Sequence, residues 1–344
     1  MRPARPLILA GFVLMLAATA AAEDPLSVAK QIERLKSDDA KVRYRAVLAL
    51  RTMGPRAKNA VDSLIETLGD KSSGMRLAAA EALGNIGPPA TGATDALVVI
   101  LKDEKYYVRW NAARALGKIR TGGVPVYALT KALKDNNIQV RRCAADALGA
   151  IGSAARPSTY ALAAMLKDKE VSAVLSAAQA LSRMGKGKLA VDTLVATLKH
   201  NDLYRRRRAA EILETIGSDA RDAAPALLYA LNDANGWMTP KVAAMEAAAR
   251  AIGVSEETLR NEAIPFQNDN WIVRWRAARA LGKIDPQIAT DKVVPVLIKM
   301  LSHDQAWVRQ MSAQTLGTIG KPAQAAIRPL QVTLANDKSQ AVCK

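Results

Sequence analysis

Apolar residues recur at helical spacing in a phrase that is repeated many times along the chain. With its first residue numbered zero, the phrase has a small residue at position four, leucine at eight and isoleucine or methionine at eleven. These positions lie on one face of an α-helix, so each copy is predicted to be an amphipathic helix. The clear copies begin at Met75, Val108, Val140, Val273 and Val308. Looser copies begin at Val42 and Arg205, and the copy at Ala173 keeps the apolar positions.

A second apolar helix is predicted before each copy, as in "AVDSLIETLGD" and "VPVYALTKALKD". A glycine commonly follows the phrase and is predicted to end its helix. An aspartate between the two helices, such as Asp103, is predicted to be the N-cap of the second helix. Each repeat is therefore a helical hairpin. Most neighbouring copies start 32 to 35 residues apart, a period that indicates a repeat array.

The repeated phrase and its spacing resemble the HEAT-repeat family, in particular the alanine-rich subtype found in bilin-lyase-like proteins. The resemblance covers residues 26–342 and implies an all-α, right-handed α-solenoid whose second helices line a concave face. We predict nine hairpins and a partial tenth within residues 23–344, with the copy that ends at Gly253 the most degraded. The partial tenth, "AQAAIRPLQVTLAND", is expected to be either a terminal cap or half of a repeat that continues.

The resemblance also implies a structural ladder of ion pairs between neighbouring repeats. In the family an arginine follows the valine of the second helix, and an aspartate stands in the turn between the helices. Val174 takes the arginine position of the fifth repeat, and His200 and His303 shift the acidic position, so irregularities are expected there. The matching residues are Arg43, Arg76, Arg109, Arg141, Arg206, Arg274 and Arg309, with Asp70, Asp103 and Asp135.

Residues 1–22 have the pattern of a secretory signal peptide. Arg2 and Arg5 precede a short apolar run, and Ala20 and Ala22 fit the small-residue rule for cleavage. The run is short for a membrane span, so a cleaved signal is favoured over an uncleaved anchor. We expect an exported protein, periplasmic or extracellular, with no transmembrane helix after cleavage.

The composition favours binding over catalysis. Lys+Arg 49 against Asp+Glu 32 gives a formal net charge of +17, which indicates anionic partners. The sequence contains no recognisable nucleophile, metal or phosphate-binding motif. Its two cysteines and two histidines are too few and too scattered for a disulfide framework or a typical metal site. We therefore expect no catalytic residue, no cofactor and no small-molecule substrate.

Charged residues of the second helices have a structural interpretation as well. Glu81, Asp146 and Glu211 stand at position six of the phrase. They are predicted to be solvated helix charges, and a site of paired carboxylates is the alternative. The run 205–208, "RRRR", includes a ladder arginine and is expected to lie at a solvated helix start, with nucleic-acid binding as its alternative.

Two copies differ from the others in their outward positions three, six and ten. These two, at 108–120 and 273–285, are basic there and carry a tryptophan at position two, which can stack on the arginine at position six. Tryptophan and arginine are enriched at protein interfaces. The predicted concave-face contacts are Trp110, Arg114, Lys118, Trp275, Arg276, Arg279 and Lys283.

Three functions are compatible with this pattern. The favoured one is a non-enzymatic scaffold that holds a protein partner on the concave face of the solenoid. The alternative is an envelope binder of an anionic polymer, such as acidic glycan, lipid headgroups or DNA. A more distant alternative, an enzyme of the bilin-lyase-like branch, rests on family resemblance alone.

Overall fold

The fold is built from helices in all of the chain that the computed structural model describes, residues 27–121, 123–232 and 264–337. The α-helices of these residues are α1 (Val28–Leu35), α2 (Ala40–Met53), α3 (Val61–Thr67), α4 (Ser73–Ile86), α5 (Thr94–Ile100), α6 (Tyr106–Ile119), α7 (Val124–Ala132), α8 (Ile138–Ile151), α9 (Thr159–Met165), α10 (Val171–Arg183), α11 (Val191–Leu198), α12 (Leu203–Ile216), α13 (Ala224–Asn232), α14 (Ile264–Ile284), α15 (Val294–Met300), α16 (Ala306–Ile319) and α17 (Ile327–Asn336).

Short helical turns lead into many of the odd-numbered helices. A turn of α-helix at Pro286–Ile288 is followed by a π-helical segment at Ala289–Val293. The 3-10 segments are Gly54–Ala60, Pro88–Ala93, Gly152–Ser158, Gly187–Ala190, Gly217–Ala223 and Lys321–Ala326.

The odd-numbered helices are the A helices of the hairpins, and the even-numbered helices, which contain the repeated phrase, are the B helices. The helices fall into two compact units that divide after Ile151. In unit 1, α2, α4, α6 and α8 pack side by side, and the A helices pack against them. In unit 2 the same order holds for α10, α12, α14 and α16. The predicted stack of helical hairpins, an α-solenoid, is confirmed.

The predicted core face of the B helices is confirmed in α6. Val108, Ala112 and Leu116 have no exposed surface, and Ile119 is 2% exposed. Small residues at positions four and five let neighbouring helices approach closely, and leucine at position eight fills the space between each B helix and its A helix. The alanine-rich composition is therefore a requirement of the packing.

Glycine ends most B helices, as predicted. Gly87 has φ +76° after α4, and its amide donates to the Leu83 carbonyl. Only glycine adopts this backbone region without steric cost. Two B helices of the described residues end without a glycine: α14 is followed by Asp285, with φ −150°, and Arg120 ends α6 in the left-handed conformation with φ +63°.

The predicted N-caps Asp70, Asp103, Asp168 and Asp304 are not the N-caps of their B helices, so this prediction is wrong for them. Aspartate is the N-cap at two other B helices, where Asp39 accepts the Lys41 amide and Asp202 the Arg205 amide. The N-cap of α6 is Lys105, two residues after Asp103, and the Asp103 carboxylate accepts the Lys105 amide at 2.9 Å. Asp70 accepts the Ser72 amide in the same way, at 2.7 Å. Because Asp103 stands two residues before the N-cap, its carboxylate closes the turn and also reaches Arg76 of the preceding hairpin.

The B helix of the seventh predicted hairpin and the signal peptide fall outside the described residues. The copy that ends at Gly253 lies within residues 233–263, and the signal within residues 1–26. α13, predicted to pair with that copy, packs against α14. The described residues thus contain seven hairpins, the packed pair α13 and α14, and the single A helix α17. Among the described helices, none combines the length and the hydrophobicity needed to span a bilayer.

Candidate binding surface on the B helices

The ladder residues Arg76 and Asp103 form a paired contact between consecutive hairpins of unit 1. The Arg76 Nε lies 2.6 Å and its Nη2 3.1 Å from the two Asp103 oxygens. The remaining nitrogen, Nη1, donates to the carbonyls of Asp70 and Lys71 in the preceding turn. One guanidinium therefore ties two turns together. Arg109 with Asp135, and Arg309 with Asp337, have the same paired geometry.

The other ladder arginines also lie at the turns. Arg43 is more distant from its aspartate, with 3.7 Å between Nη2 and the Asp70 Oδ2. Arg141 and Arg206 are buried and donate to carbonyls of the turn before their own helix. Arg274 lines an open pocket of unit 2 together with His303. The guanidiniums of Arg43, Arg141 and Arg206 bind carbonyls of the turn before their own helix, which gives these arginines a structural role.

The B helices of unit 1 carry a cluster of charged and polar residues that we call the unit 1 cluster. Arg51 Nη1 lies 2.8 Å from Glu81 Oε2, and Arg114 Nη1 lies 4.0 Å from Glu81 Oε1. Lys118 donates to the Asn85 side-chain oxygen at 2.8 Å. The members come from three neighbouring B helices, α2, α4 and α6. They are Arg51, Glu81, Asn85, Arg114 and Lys118.

Trp110 and Cys143 border the unit 1 cluster. The Arg114 guanidinium lies over the Trp110 ring, 5.9 Å from its centre, which is the stacking that the spacing predicted. Burial and the neighbouring positive charge of Arg114 hold the pKa of Lys118 below its usual range, although Glu81 opposes the shift. Burial also raises the pKa of the Cys143 thiol to about 11, so Cys143 is a neutral thiol at physiological pH.

In unit 2, Glu211 of α12 draws three arginines together. Arg207 Nε and Arg208 Nη1, on the same helix, lie 2.9 and 2.6 Å from its carboxylate oxygens. Arg276 reaches it from α14, with 3.1 Å between Nη2 and Oε1. Burial alone would raise the pKa of Glu211, but the hydrogen bonds from Arg207 and Arg208 and the charge of Arg276 lower it. Glu211 thus forms ion pairs within α12 and with Arg276 of α14. The prediction that it is a solvated charge is wrong.

Glu214 of α12 gathers the basic residues of α14. Arg279 Nη2 and Lys283 Nζ lie 3.0 and 3.1 Å from its Oε1, and Arg276 Nη1 lies 3.7 Å from its Oε2. The side chain of Glu214 is only 6% exposed. We define the unit 2 cluster as Arg207, Arg208, Glu211, Glu214, Arg276, Arg279 and Lys283.

The sequence interpretation of the second basic copy needs one correction. Arg276, Arg279 and Lys283, predicted as concave-face contacts, are each paired with a glutamate of α12, and their role as contacts stays a prediction. Trp275 was expected to be a surface contact, but it is 4% exposed and meets the edge of Trp307 at 5.5 Å. It is buried because α16 packs against α14 and covers position two.

Glu214 was missed by the sequence interpretation, although the phrase contains a signal for it. It stands at position nine, where the five clear copies, beginning with Gly84 and Gly117, have glycine. A glutamate at that position faces the next B helix and therefore needs a cationic partner there. The partner was not evident because Arg279 is 65 residues away in the sequence.

Both clusters are net cationic. The unit 2 cluster has five cationic side chains and two carboxylates, which leaves three positive charges in excess. In the described part of the chain, no group of His, Cys, Asp and Glu has an arrangement that could hold a metal ion. The chemistry that these clusters offer is electrostatic and hydrogen-bonding contact with anionic groups.

Comparison with known proteins identifies the family. The model of the HEAT repeats matches residues 28–98, 94–182 and 257–343. The chain belongs to the HEAT-repeat family. A search of curated protein sequences gave no match to this HEAT-repeat chain.

Solved structures with a similar fold include other helical-repeat proteins. Importin β is 18% identical over 92% of this chain and 46% of its own, with a TM-score of 0.60. YibA of Escherichia coli is 18% identical over 90% of this chain and 96% of its own, with a TM-score of 0.53. The CpcE–CpcF complex of phycocyanin lyase from Nostoc is 24% identical over 79% and 92%, with a TM-score of 0.46. The likeness to importin β and YibA shows the fold of this HEAT-repeat protein and not its function.

Proposed function

We propose that this HEAT-repeat protein is a non-enzymatic scaffold that holds a protein partner on the surface of its B helices. HEAT-repeat arrays commonly bind proteins, and their extended surfaces suit long contacts. The observation that carries the proposal is the placement of both cationic clusters on B helices, with side chains from two or three successive helices in each. Such a surface can contact a partner across several repeats at once.

The residues of the clusters suit recognition at an interface. Arginine and tryptophan are enriched among the side chains that contribute most to protein binding. In unit 1, Arg114 rests over Trp110, and Lys118 is exposed at the surface. Glu81 holds Arg51 and Arg114 in place, so little side-chain freedom remains to be lost when a partner binds.

Site-specific photo-cross-linking in the cells that make the protein tests the proposal. A cross-linking amino acid would replace Lys118 or Lys283 on the B helices, or Tyr127 on the A helix α7, whose side chain is 65% exposed. We expect discrete protein adducts from Lys118 and Lys283 and none from Tyr127. Adducts from Tyr127 alone, or no protein adduct at any position, would refute the B-helix scaffold.

Binding of an anionic polymer is the second candidate, and the formal net charge of +17 favours it. Such binding releases counterions and weakens steeply as salt is raised. Retention on heparin that falls steeply between 50 and 200 mM salt, roughly the range in which phosphate binders lose most affinity, would support it. A partner that stays bound across that range would contradict it.

Export is part of the proposal, because residues 1–22 have the pattern of a signal peptide. The first residue of the protein recovered from the periplasm or medium would be near Glu23 if the signal is cleaved. Recovery in the cytoplasm with an intact N-terminus would refute this part alone.

A further inference from the structure

The unit 2 cluster has its carboxylates beneath its cations. The side chains of Glu211 and Glu214 are 14% and 6% exposed. Those of the five cationic residues range from 29% for Arg276 to 52% for Lys283. The negative charges therefore lie at the floor of the cluster and the positive charges at its solvent side. An anion approaching from solvent meets the guanidinium and ammonium groups first.

The two glutamates fix the cations in place before any ligand arrives. Arg276 is held by both carboxylates, and Arg279 is held by Glu214 through Nε and Nη2. Four guanidiniums and one ammonium carry many more N–H donors than two carboxylates can accept. The cluster can therefore donate to a further anion, and it loses little side-chain entropy when it does so.

The extent of the cluster favours a chain of charges over a single compact ion. Arg276, Arg279 and Lys283 are spaced i, i+3 and i+7 on α14, which spreads them over about 10 Å of helix. Arg207 and Arg208 lie on the neighbouring helix, about 8–10 Å away between axes. Alternate side chains of an extended peptide lie roughly 7 Å apart, so two or three acidic residues span the cluster.

The charge of the cluster favours a peptide over a nucleic acid. An excess of three positive charges is neutralised by two or three carboxylates. Strong DNA binding needs roughly 6–10 phosphate contacts, which is many more than three excess positive charges can neutralise. Arginine also pairs with carboxylates through two parallel hydrogen bonds, which gives geometric selectivity in addition to charge.

We infer that the unit 2 cluster is a binding site for an acidic peptide segment of the partner, one with two or three neighbouring aspartates or glutamates. The inference rests on the proposed scaffold function and names the part of the partner that unit 2 receives. Glu211 and Glu214 are positioning residues, and Arg276, Arg279 and Lys283 with Arg207 and Arg208 contact the peptide.

Fluorescence anisotropy with the full chain tests the inference. The probe is a labelled decapeptide that contains three alternating aspartates, and its matched control has asparagine at the same positions. Arg276→Gln combined with Arg279→Gln should weaken binding of the acidic peptide by about tenfold, since exposed ion pairs each contribute modestly and two are removed. The asparagine peptide should bind neither protein.

A matched variant separates a local site from general charge. Lys186→Gln with Lys188→Gln removes the same two charges from exposed positions of unit 2, outside the cluster, and should leave the affinity unchanged within about twofold. Because the double arginine variant removes two of the three cationic partners of Glu214, Lys283→Gln, which removes one and keeps both arginines, provides a second test. Its side chain is 52% exposed, and we expect a loss of about threefold with an unaltered melting temperature.

Three results would overturn the inference. The first is no binding of the acidic peptide, and the second is equal weakening by the lysine control. The third is a DNA oligonucleotide that binds more tightly than the peptide and depends on the same arginines. If cross-linking at Lys118 still captures a protein in any of these cases, the scaffold function stands without this site. If acidic peptide binds but no partner cross-links, the scaffold function fails and the peptide site remains.

Discussion

Gly117 of α6 lies so close to Ala147 of α8 that a Cβ atom built on it would stand 2.7 Å from the Ala147 Cα. Gly84 of α4 has the same relationship to Ala115 of α6, at 2.9 Å. Real Cβ atoms do not approach other carbons this closely, so α4 meets α6, and α6 meets α8, through their backbones. At these two contacts the glycine at position nine of the phrase sets the distance between neighbouring hairpins.

Gly117→Ala should destabilise the protein by about 2 kcal/mol, because the new methyl group has no room against the Ala147 backbone. Gly317→Ala is the matched control at position nine of α16, where nothing lies within 4 Å of the added atom. There the higher helix propensity of alanine should stabilise by about 0.5–1 kcal/mol. Urea denaturation measures both, and changes of the same sign would contradict the packing argument.

Arg76→Ala should reduce the free energy of unfolding by about 2–3 kcal/mol. The change removes a paired contact at 2.6 and 3.1 Å and leaves the Asp103 carboxylate, 6% exposed, with fewer donors. Arg43→Ala, whose partner lies at 3.7 Å and is more exposed, should cost less than about 1 kcal/mol. Equal losses in thermal denaturation would show that the paired geometry is unimportant.

The ion pair between Arg76 and Asp103 should make the free energy of unfolding depend on pH. Burial by itself would raise the pKa of Asp103, but hydrogen bonds from Arg76 and the Lys105 amide outweigh it and lower the pKa. The unfolded chain then binds the proton more tightly than the folded one. This stabilisation is present above about pH 4, the unfolded pKa, and is lost as pH falls through the lower folded pKa.

Urea midpoints measured from pH 7 to pH 2 test this dependence. The urea concentration at the wild-type midpoint should decrease as the pH is lowered below about 4. Asp103→Asn should have a lower midpoint at pH 7, and its midpoint should change less with pH. Asp192→Asn, which removes an exposed carboxylate from α11, should follow the wild-type profile. A profile of Asp103→Asn parallel to the wild type would contradict the assignment.

Arg120→Gly should stabilise the protein by about 1 kcal/mol. Arg120 holds a left-handed conformation with φ +63° at the end of α6, and a side chain with a Cβ is disfavoured there. Arg120→Ala removes the same exposed side chain but keeps the Cβ, so it should give no such gain. A rise in the melting temperature for both variants would assign the effect to the arginine charge.

Cys143 should react very slowly with alkylating reagents. Its pKa of about 11 leaves roughly a thousandth of the thiol ionised at pH 8, against about a quarter for an unperturbed thiol. In a Cys343→Ser background we expect iodoacetamide to modify native Cys143 about a hundred times more slowly than the urea-unfolded chain. Similar rates in both states would contradict its burial.

Much of the fold could be predicted from the sequence. The period of the phrase, its apolar face and its final glycine predicted the hairpins and their ends, because these depend on neighbours within one repeat. The candidate surface was predicted only in part. Arg114 stacks on Trp110, one turn away on the same helix, as expected. Trp275 occupies the equivalent position and is buried, because its surroundings come from the next hairpin.

The sequence by itself determined the helical hairpins, the HEAT-repeat family and the excess of positive charge. The tertiary structure decided where that charge is paired. Local spacing fixes which residues share a helix face, but Glu214 and Arg279 meet only because α12 packs directly against α14 across 65 residues of chain. A buried carboxylate needs a cationic partner, and which one it obtains depends on which helices pack together.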